Sequence, residues 1–200
     1  MRLDFALVGV GGQGIVLASD LLAAVGLAAG LDVKKTDSLG MSQRGGSVVS
    51  FVRWGEEVRS PLPAAGSCDV LVALEKLEAA RGASLVRPGG LAVVNDHAIS
   101  PPSVNSGSER YPTDDEVRQL FRVRRVGPRF VDGPALADQV GNPRVVNVVL
   151  LGFVAASMPL PYALWQETLA SLLPERIRQV NLRALEKGRA EWEGRVGVLG

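Results

Sequence analysis

The sequence predicts an α/β fold: a partly parallel sheet with helices on both faces, followed by a helical C-terminal part. Three observations carry that prediction. Short apolar, β-branched runs alternate with helix-forming stretches in the first part of the chain. Glycine clusters stand where strands hand over to helices. Beyond Pro143 the pattern is helical almost throughout. With 200 residues, 46% hydrophobic and 22% charged, the chain has room for one ordinary core, and it reads as a single domain over 1–200 with a helical extension from about residue 143.

Residues 3–8 form a short apolar run that ends at a glycine cluster, the mark of a buried strand. From 13 to about 29 nearly every residue favours a helix. Ile15, Val16, Leu17, Leu21, Leu22 and Val25 leave it little polar surface, so that helix should be buried. Gly26 and Gly30 stop it, and 31–36 reads as the second strand. A small, polar loop covers 38–46. The β-branched and aromatic run 47–54 predicts a strand, with Gly55-Glu56 as a hairpin turn into 58–60. Residues 69–74 give another apolar strand, 75–85 a helix, Pro88-Gly89-Gly90 a turn and 91–95 a strand. The stretch 97–111, rich in Pro, Ser, Asn and Gly, is a long loop. Thr113 and Glu116 have capping-box spacing for a helix to about 121, and 129–131 gives a last strand before Gly133-Pro134. Asn142-Pro143 supplies an N-cap and an N1 proline for 144–157. The valines there suit a strand, but the run is far longer than a usual strand, so a buried helix is expected. Two helices, 161–173 and 175–193, follow.

The rarest residues exclude most. One cysteine, Cys68, and one histidine, His97, cannot supply the four ligands of an iron–sulfur cluster or a structural zinc site. No intrachain disulfide can form, which fits a reducing compartment. A net charge of +1 gives no bulk attraction to nucleic acid or to an anionic membrane. The start of the chain carries an acid and no signal-peptide pattern, and the longest apolar run, 145–158, is too short for a bilayer core of about 30 Å. The expected location is the cytoplasm.

Gly9-Val10-Gly11-Gly12-Gln13-Gly14 matches G-x-G-x-x-G after the first strand and before the first helix, which makes the predicted sheet a three-layer, Rossmann-like one. Glycines permit a sharp turn and close backbone approach, and the free amides of a helix N-terminus favour a phosphate. The competing reading is tight packing of helix on sheet. A dinucleotide site also expects an acid at the end of the second strand. Asp37 has the spacing, but Lys34-Lys35-Thr36 before it is not the usual apolar run.

That glycine loop, followed by Gly40-Met41-Ser42-Gln43-Arg44-Gly45-Gly46-Ser47-Val48, resembles the gamma domain of 2-oxoacid:ferredoxin oxidoreductases, within which the indolepyruvate branch is nearest. Val52-Arg53-Trp54, Ser60-Pro61, the run from Asp69 to Glu75, Gly141-Asn142 with Asn147, and Asn181, Ala184 and Gly188 extend the resemblance over essentially the whole chain. The resemblance implies oxidative decarboxylation of a 2-oxoacid (arylpyruvate or indolepyruvate) to an acyl-CoA, with electrons passing to ferredoxin. The family's thiamine diphosphate site uses Gly-Asp-Gly, which this chain lacks. It therefore implies a supporting subunit, inactive alone. A larger catalytic partner would carry thiamine diphosphate, Mg and the iron–sulfur clusters, and ferredoxin would be met indirectly. The candidate coenzyme-binding residues are Gly9, Gly11, Gly12, Gln13, Gly14, Arg44, Gly45 and Gly46, with coenzyme A as the ligand at the subunit junction and no catalytic or metal-binding residue. The alternatives are a stand-alone NAD(P)-dependent dehydrogenase and a nucleotide-binding regulatory module.

Arg44 offers a guanidinium fork for a carboxylate or phosphate, either of the coenzyme or of the partner. Asp114, Asp115 and Glu116 read as helix capping, Glu75 and Glu78 as a solvated helix face, Cys68 as a buried small residue and His97 as incidental. Asn147 must find hydrogen-bond partners if buried. The helices bearing Trp165 and Trp192, and the strand around Phe51 and Trp54, are the expected partner-binding surfaces, through which an isolated chain would dimerise.

Overall fold

The computed structural model describes residues 1–39, 46–107 and 110–196. Six strands, β1 (Leu3–Val10), β2 (Asp32–Leu39), β3 (Ser47–Gly55), β4 (Cys68–Ala73), β5 (Val86–Asn95) and β6 (Pro128–Val131), form one sheet in the order β2-β3-β1-β4-β5-β6. β1, β4, β5 and β6 run parallel, while β3 is antiparallel to both β1 and β2. The sheet is thus mixed and partly parallel, as the strand–helix alternation predicts.

The helices are α1 (Ile15–Ala28), α2 (Lys76–Gly82), α3 (Pro102–Asn105), α4 (Asp114–Val123), α5 (Gly133–Val140), α6 (Val146–Ser157), α7 (Tyr162–Leu172) and α8 (Glu175–Val196). Strand alternation divides the core into two layers. Phe5, Leu7, Val52, Trp54, Val70, Val72 and Val93 point to one face, under α1, α5, α6, α7 and α8. Ala6, Val8, Leu71, Ala73, Ala92 and Val94 point to the other, under α2 and α4.

The valine-rich stretch is a helix. Asn142 accepts from the Arg144 amide at 3.0 Å, and Asn147 to Ala155 are all buried between the sheet and α8. Burial on every side, rather than one strand-like face, explains its apolar composition. α6 and α8 meet backbone to backbone: a Cβ at Gly152 would overlap the Leu185 carbonyl, and one at Gly188 the Val149 carbonyl.

Several expectations fail for identifiable reasons. Residues 58–60 form no return strand, because β1 and β2 already occupy both edges of β3. Side chains satisfy that backbone instead: Arg53 donates to the Ser60 and Leu62 carbonyls at 2.9 and 3.1 Å, and the Val58 amide donates to Asp32 at 2.7 Å. Strand β5 starts at Val86 and absorbs Pro88-Gly89-Gly90, its pairing with β4 skipping from Cys68–Val86 to Val70–Leu91. The helix α5, which the sequence reading did not assign, opens at Gly133-Pro134, since Asp132 caps the Ala135 amide at 3.0 Å and proline suits a first turn.

The expected partner surfaces are mostly interior. Trp54 and Trp165 are fully buried, with ring centroids 6.2 Å apart, and Trp54 donates to the Leu22 carbonyl at 3.1 Å. Trp192 packs edge-on against Phe153 at 5.1 Å. At the far edge of the sheet, Arg195 of α8 donates to the Phe130 carbonyl of β6 at 2.8 Å.

Candidate functional site

The glycine loop lies at the C-terminal end of β1, between β3 and β4 in the sheet. Its glycines divide by role. A Cβ at Gly9 would press on Gln13, Ile15 and Leu74, and one at Gly14 on Asn147, so these two serve close packing. Gly12, at φ +101°, has nothing within 4 Å of an added Cβ and faces open space. Gly11 donates its amide to the Gly46 carbonyl at 2.9 Å. Arg44 and Gly45 lie outside the described residues.

Gln13 is engaged inside the protein: Oε1 accepts from the Val10 amide at 2.7 Å and Nε2 donates to the Leu74 carbonyl at 3.0 Å. The same carbonyl accepts from Asn95 Nδ2 at 3.0 Å, while Asn95 Oδ1 accepts from the Gly133 amide at 3.1 Å. Asn147 Nδ2 donates to the Gly14 carbonyl at 3.0 Å. Buried amides thus tie the ends of β1, β4 and β5 to the starts of α1, α5 and α6. Each polar group is satisfied, so the network rigidifies this end of the sheet.

Between these elements opens a cleft of about 500 Å³, lined among others by Gly12, Gly14, His97, Ile99, Arg144 and Asn147. Its volume falls in the range of small-molecule sites, and it sits outside the carboxyl ends of the parallel strands, where open α/β sheets bind ligands. The α1 N-terminus borders it. Gly14 has no side chain to cap the first turn, and no acid stands in that turn. The first amides of α1 and the positive end of its dipole therefore remain available to an anion. Arg144 is exposed at the mouth, as is His97, the residue read as incidental.

The dinucleotide geometry is absent. Strand β3 separates β1 from β2, which puts the end of β2 two strand spacings, about 10 Å, from β1. Asp37 is occupied there by Lys35 at 3.0 Å and by the Ser50 hydroxyl at 2.6 Å.

The two glutamates read as solvent-facing are buried. Glu75 caps α2, Oε2 accepting from the Glu78 amide at 2.9 Å, while Oε1 accepts from the Ile99 amide at 3.0 Å and from the Tyr111 hydroxyl. Glu78 holds Ser47 and Arg81, each at 2.5 Å. Thr113 and Glu116 do form a capping box. Cys68 is fully buried, and loss of hydration, with Asp4 and Asp69 nearby, pushes its thiol up to about 12. Asn95, Tyr111 and Arg144 escaped the sequence reading. Asn95 alone carried a signal, as a polar residue closing an apolar strand.

The pyruvate ferredoxin/flavodoxin oxidoreductase family model matches residues 4–191. The indolepyruvate oxidoreductase subunit IorB of Archaeoglobus fulgidus is 38% identical over 192 residues, covering 94% of each chain. A keto/oxoacid ferredoxin oxidoreductase gamma subunit from Geobacter sulfurreducens superposes with a TM-score of 0.71 at 22% identity, covering 96% of this chain and 99% of that one. A 2-oxoglutarate:ferredoxin oxidoreductase from Magnetococcus marinus, solved with 2-oxoglutarate, coenzyme A and succinyl-CoA, gives 0.74 at 21% identity, covering 96% of this chain and 31% of that longer one. At such identities the two structures establish the fold alone.

Proposed function

This chain belongs to the pyruvate ferredoxin/flavodoxin oxidoreductase family, and from that membership we propose that it is the supporting subunit of an indolepyruvate-type 2-oxoacid:ferredoxin oxidoreductase. Its task is to hold coenzyme A against a larger catalytic subunit. The observation that carries this reading is the cleft at the uncapped start of α1, with Gly12 facing open space. A coenzyme pyrophosphate suits that end: α1 amides would receive its oxygens, Arg144 would balance its charge, and Leu17, Ile99 and Val146 would cover its uncharged part. Coenzyme A supplies the thiol that accepts the acyl group.

The remaining cofactors do not fit here. One buried sulfur with a raised pKa cannot hold a cluster, and among the described residues no group of three or more His, Cys, Asp or Glu side chains could hold a metal ion. On this reading a larger partner would carry thiamine diphosphate, Mg and the iron–sulfur clusters and would pass electrons to ferredoxin. No helix among the described residues is long and apolar enough to cross a membrane. The stand-alone dehydrogenase reading lacks the ribose-binding acid.

The test is steady-state kinetics of the complex reconstituted with its larger subunit, with coenzyme A varied. An added Cβ at Gly12 meets no protein atom, although at φ +101° alanine also strains the loop backbone. In a variant that still assembles, a rise of about tenfold in KM for coenzyme A, about 1.4 kcal/mol, is expected. Arg44→Lys separately tests the countercharge assigned from the sequence, because a point charge cannot reproduce a bidentate fork. The isolated chain should oxidise no indolepyruvate. Normal assembly of Gly12→Ala with unchanged KM and kcat would reduce the glycine loop to packing.

A further inference from the structure

We propose that Glu75 and Tyr111 are positioning residues for the cleft: they fix the backbone at Ile99 and thereby set the wall against which the uncharged part of the ligand rests. The inference builds on the coenzyme reading above.

Glutamate is a poor choice for a helix N-cap, a place that Ser, Thr, Asp and Asn fill better. Capping α2 needs only Oε2, which takes the Glu78 amide. The longer side chain carries Oε1 beyond the helix, to the Ile99 amide at 3.0 Å and the Tyr111 hydroxyl. The same hydroxyl accepts from the Leu77 amide at 3.1 Å, so Tyr111 is held at two points on α2. One residue earlier, the His97 carbonyl accepts from the Lys76 amide at 3.1 Å. Glu75 and Lys76 thus grip the segment that brings His97 and Ile99 into the cleft, while Leu77 anchors Tyr111, which in turn bonds the Glu75 carboxylate.

The grip matters because the wall is hollow behind. A cavity of about 70 Å³ lies there, lined by Val10, Glu75, Leu77, Glu78, Ile99 and Ser100 among others. Without the Glu75 bond, Ile99 has room to fall back and widen the cleft. Glu75 is 1% exposed, so its oxygens have the protein as their source of hydrogen bonds. Burial, and then the Glu75 carboxylate, push the Tyr111 hydroxyl above its ordinary range, so it stays a donor at any physiological pH.

A cap and a positioning device separate experimentally. Glu75→Ser keeps a good N-cap but is too short for Ile99, whereas Tyr111→Phe leaves the cap untouched and removes only the hydroxyl. In the reconstituted complex, both variants should assemble, raise KM for coenzyme A three- to tenfold, leave kcat near the parent value and speed hydrogen exchange at the Ile99 amide. Glu75→Gln preserves the reach with a single acceptor. With that oxygen on Ile99 and Tyr111 it should restore most of the affinity lost in Glu75→Ser, at a cost in stability because its amide nitrogen then meets the Glu78 amide donor to donor. Parental KM in both Glu75→Ser and Tyr111→Phe overturns the inference, whether or not exchange at Ile99 changes. If Gly12→Ala nevertheless raises KM, the coenzyme reading survives that result; if Gly12→Ala is also silent, both fall together.

Discussion

Gly188→Ala should destabilise the protein by about 2 kcal/mol, although alanine is the better helix former. In an exposed helix the exchange gains about 1 kcal/mol. At position 188 the added Cβ would lie far inside the 3.0 Å that real Cβ atoms keep, and the atom it meets is the Val149 backbone carbonyl of α6, which no rotamer change can move. Relief requires α6 and α8 to separate by about an ångström, and gaps of that size forfeit a quarter to a half of each dispersion contact along the seam. That seam includes fully buried Val149, Phe153, Ala184 and Leu185. Overpacking of this kind costs about 3 kcal/mol at the upper end of its usual range, which the propensity gain reduces to about 2. The control sits on the same helix: a Cβ at Gly194 meets nothing within 4 Å, so Gly194→Ala should stabilise by a few tenths to about 1 kcal/mol. Urea titration followed by circular dichroism gives both values. Thermal midpoints should move in opposite directions, down by about 4–8 °C for Gly188→Ala. A Gly188→Ala variant as stable as the parent would refute the claim that backbone contact sets the α6–α8 distance.

Three further outcomes are expected. Asp4→Ala leaves the half-buried Arg53 guanidinium, now held at 2.8 and 3.1 Å, without its carboxylate but still bonded to the Ser60 and Leu62 carbonyls, and should cost about 2–3 kcal/mol in the same urea assay. Cys68, with its thiol pushed up to about 12, should resist iodoacetamide at pH 8 in the folded chain and react on unfolding, as intact mass will show. The Arg110 guanidinium and the Thr113 amide and hydroxyl lower the Glu116 carboxyl to about 2. Its folded pKa is thus below its unfolded value, so its contribution to stability is complete above about pH 4.5 and is lost as pH falls toward 2. Glu116→Gln should flatten that part of the stability–pH curve.

Legibility from sequence followed the range of the interactions. β1, α1 and the 113–116 capping box were readable because neighbours within a few residues decide them. The valine-rich stretch at α6 was readable from its length and its asparagine cap. The return strand at 58–60 was misread because the insertion of β3 between β1 and β2 is a long-range event that local propensity does not encode. α5 went unassigned because Gly-Pro serves equally as a stop and as a first turn, and only the Asp132 cap decides. In the site, the glycine loop announced itself, but the division of labour among its glycines depends on Asn147 and Leu74, far away in the chain. The buried state of Glu75 was invisible, since its partners Ile99 and Tyr111 lie across the long loop.

The Arg195–Phe130 contact bears on how the chain is made. β6 is the last strand to join, and its outer rim is where another extended segment could add. The side chain that occupies one of its carbonyls arrives 65 residues later. A ribosome adding about 5–20 residues per second takes several seconds to cross that distance. Through that interval a nascent sheet could stand with an unguarded border, in a cell where many copies emerge from one message. Chaperone demand should therefore peak between synthesis of β6 and of the final turns of α8, and shortening the chain before residue 195 should shift product from soluble subunit to inclusion bodies.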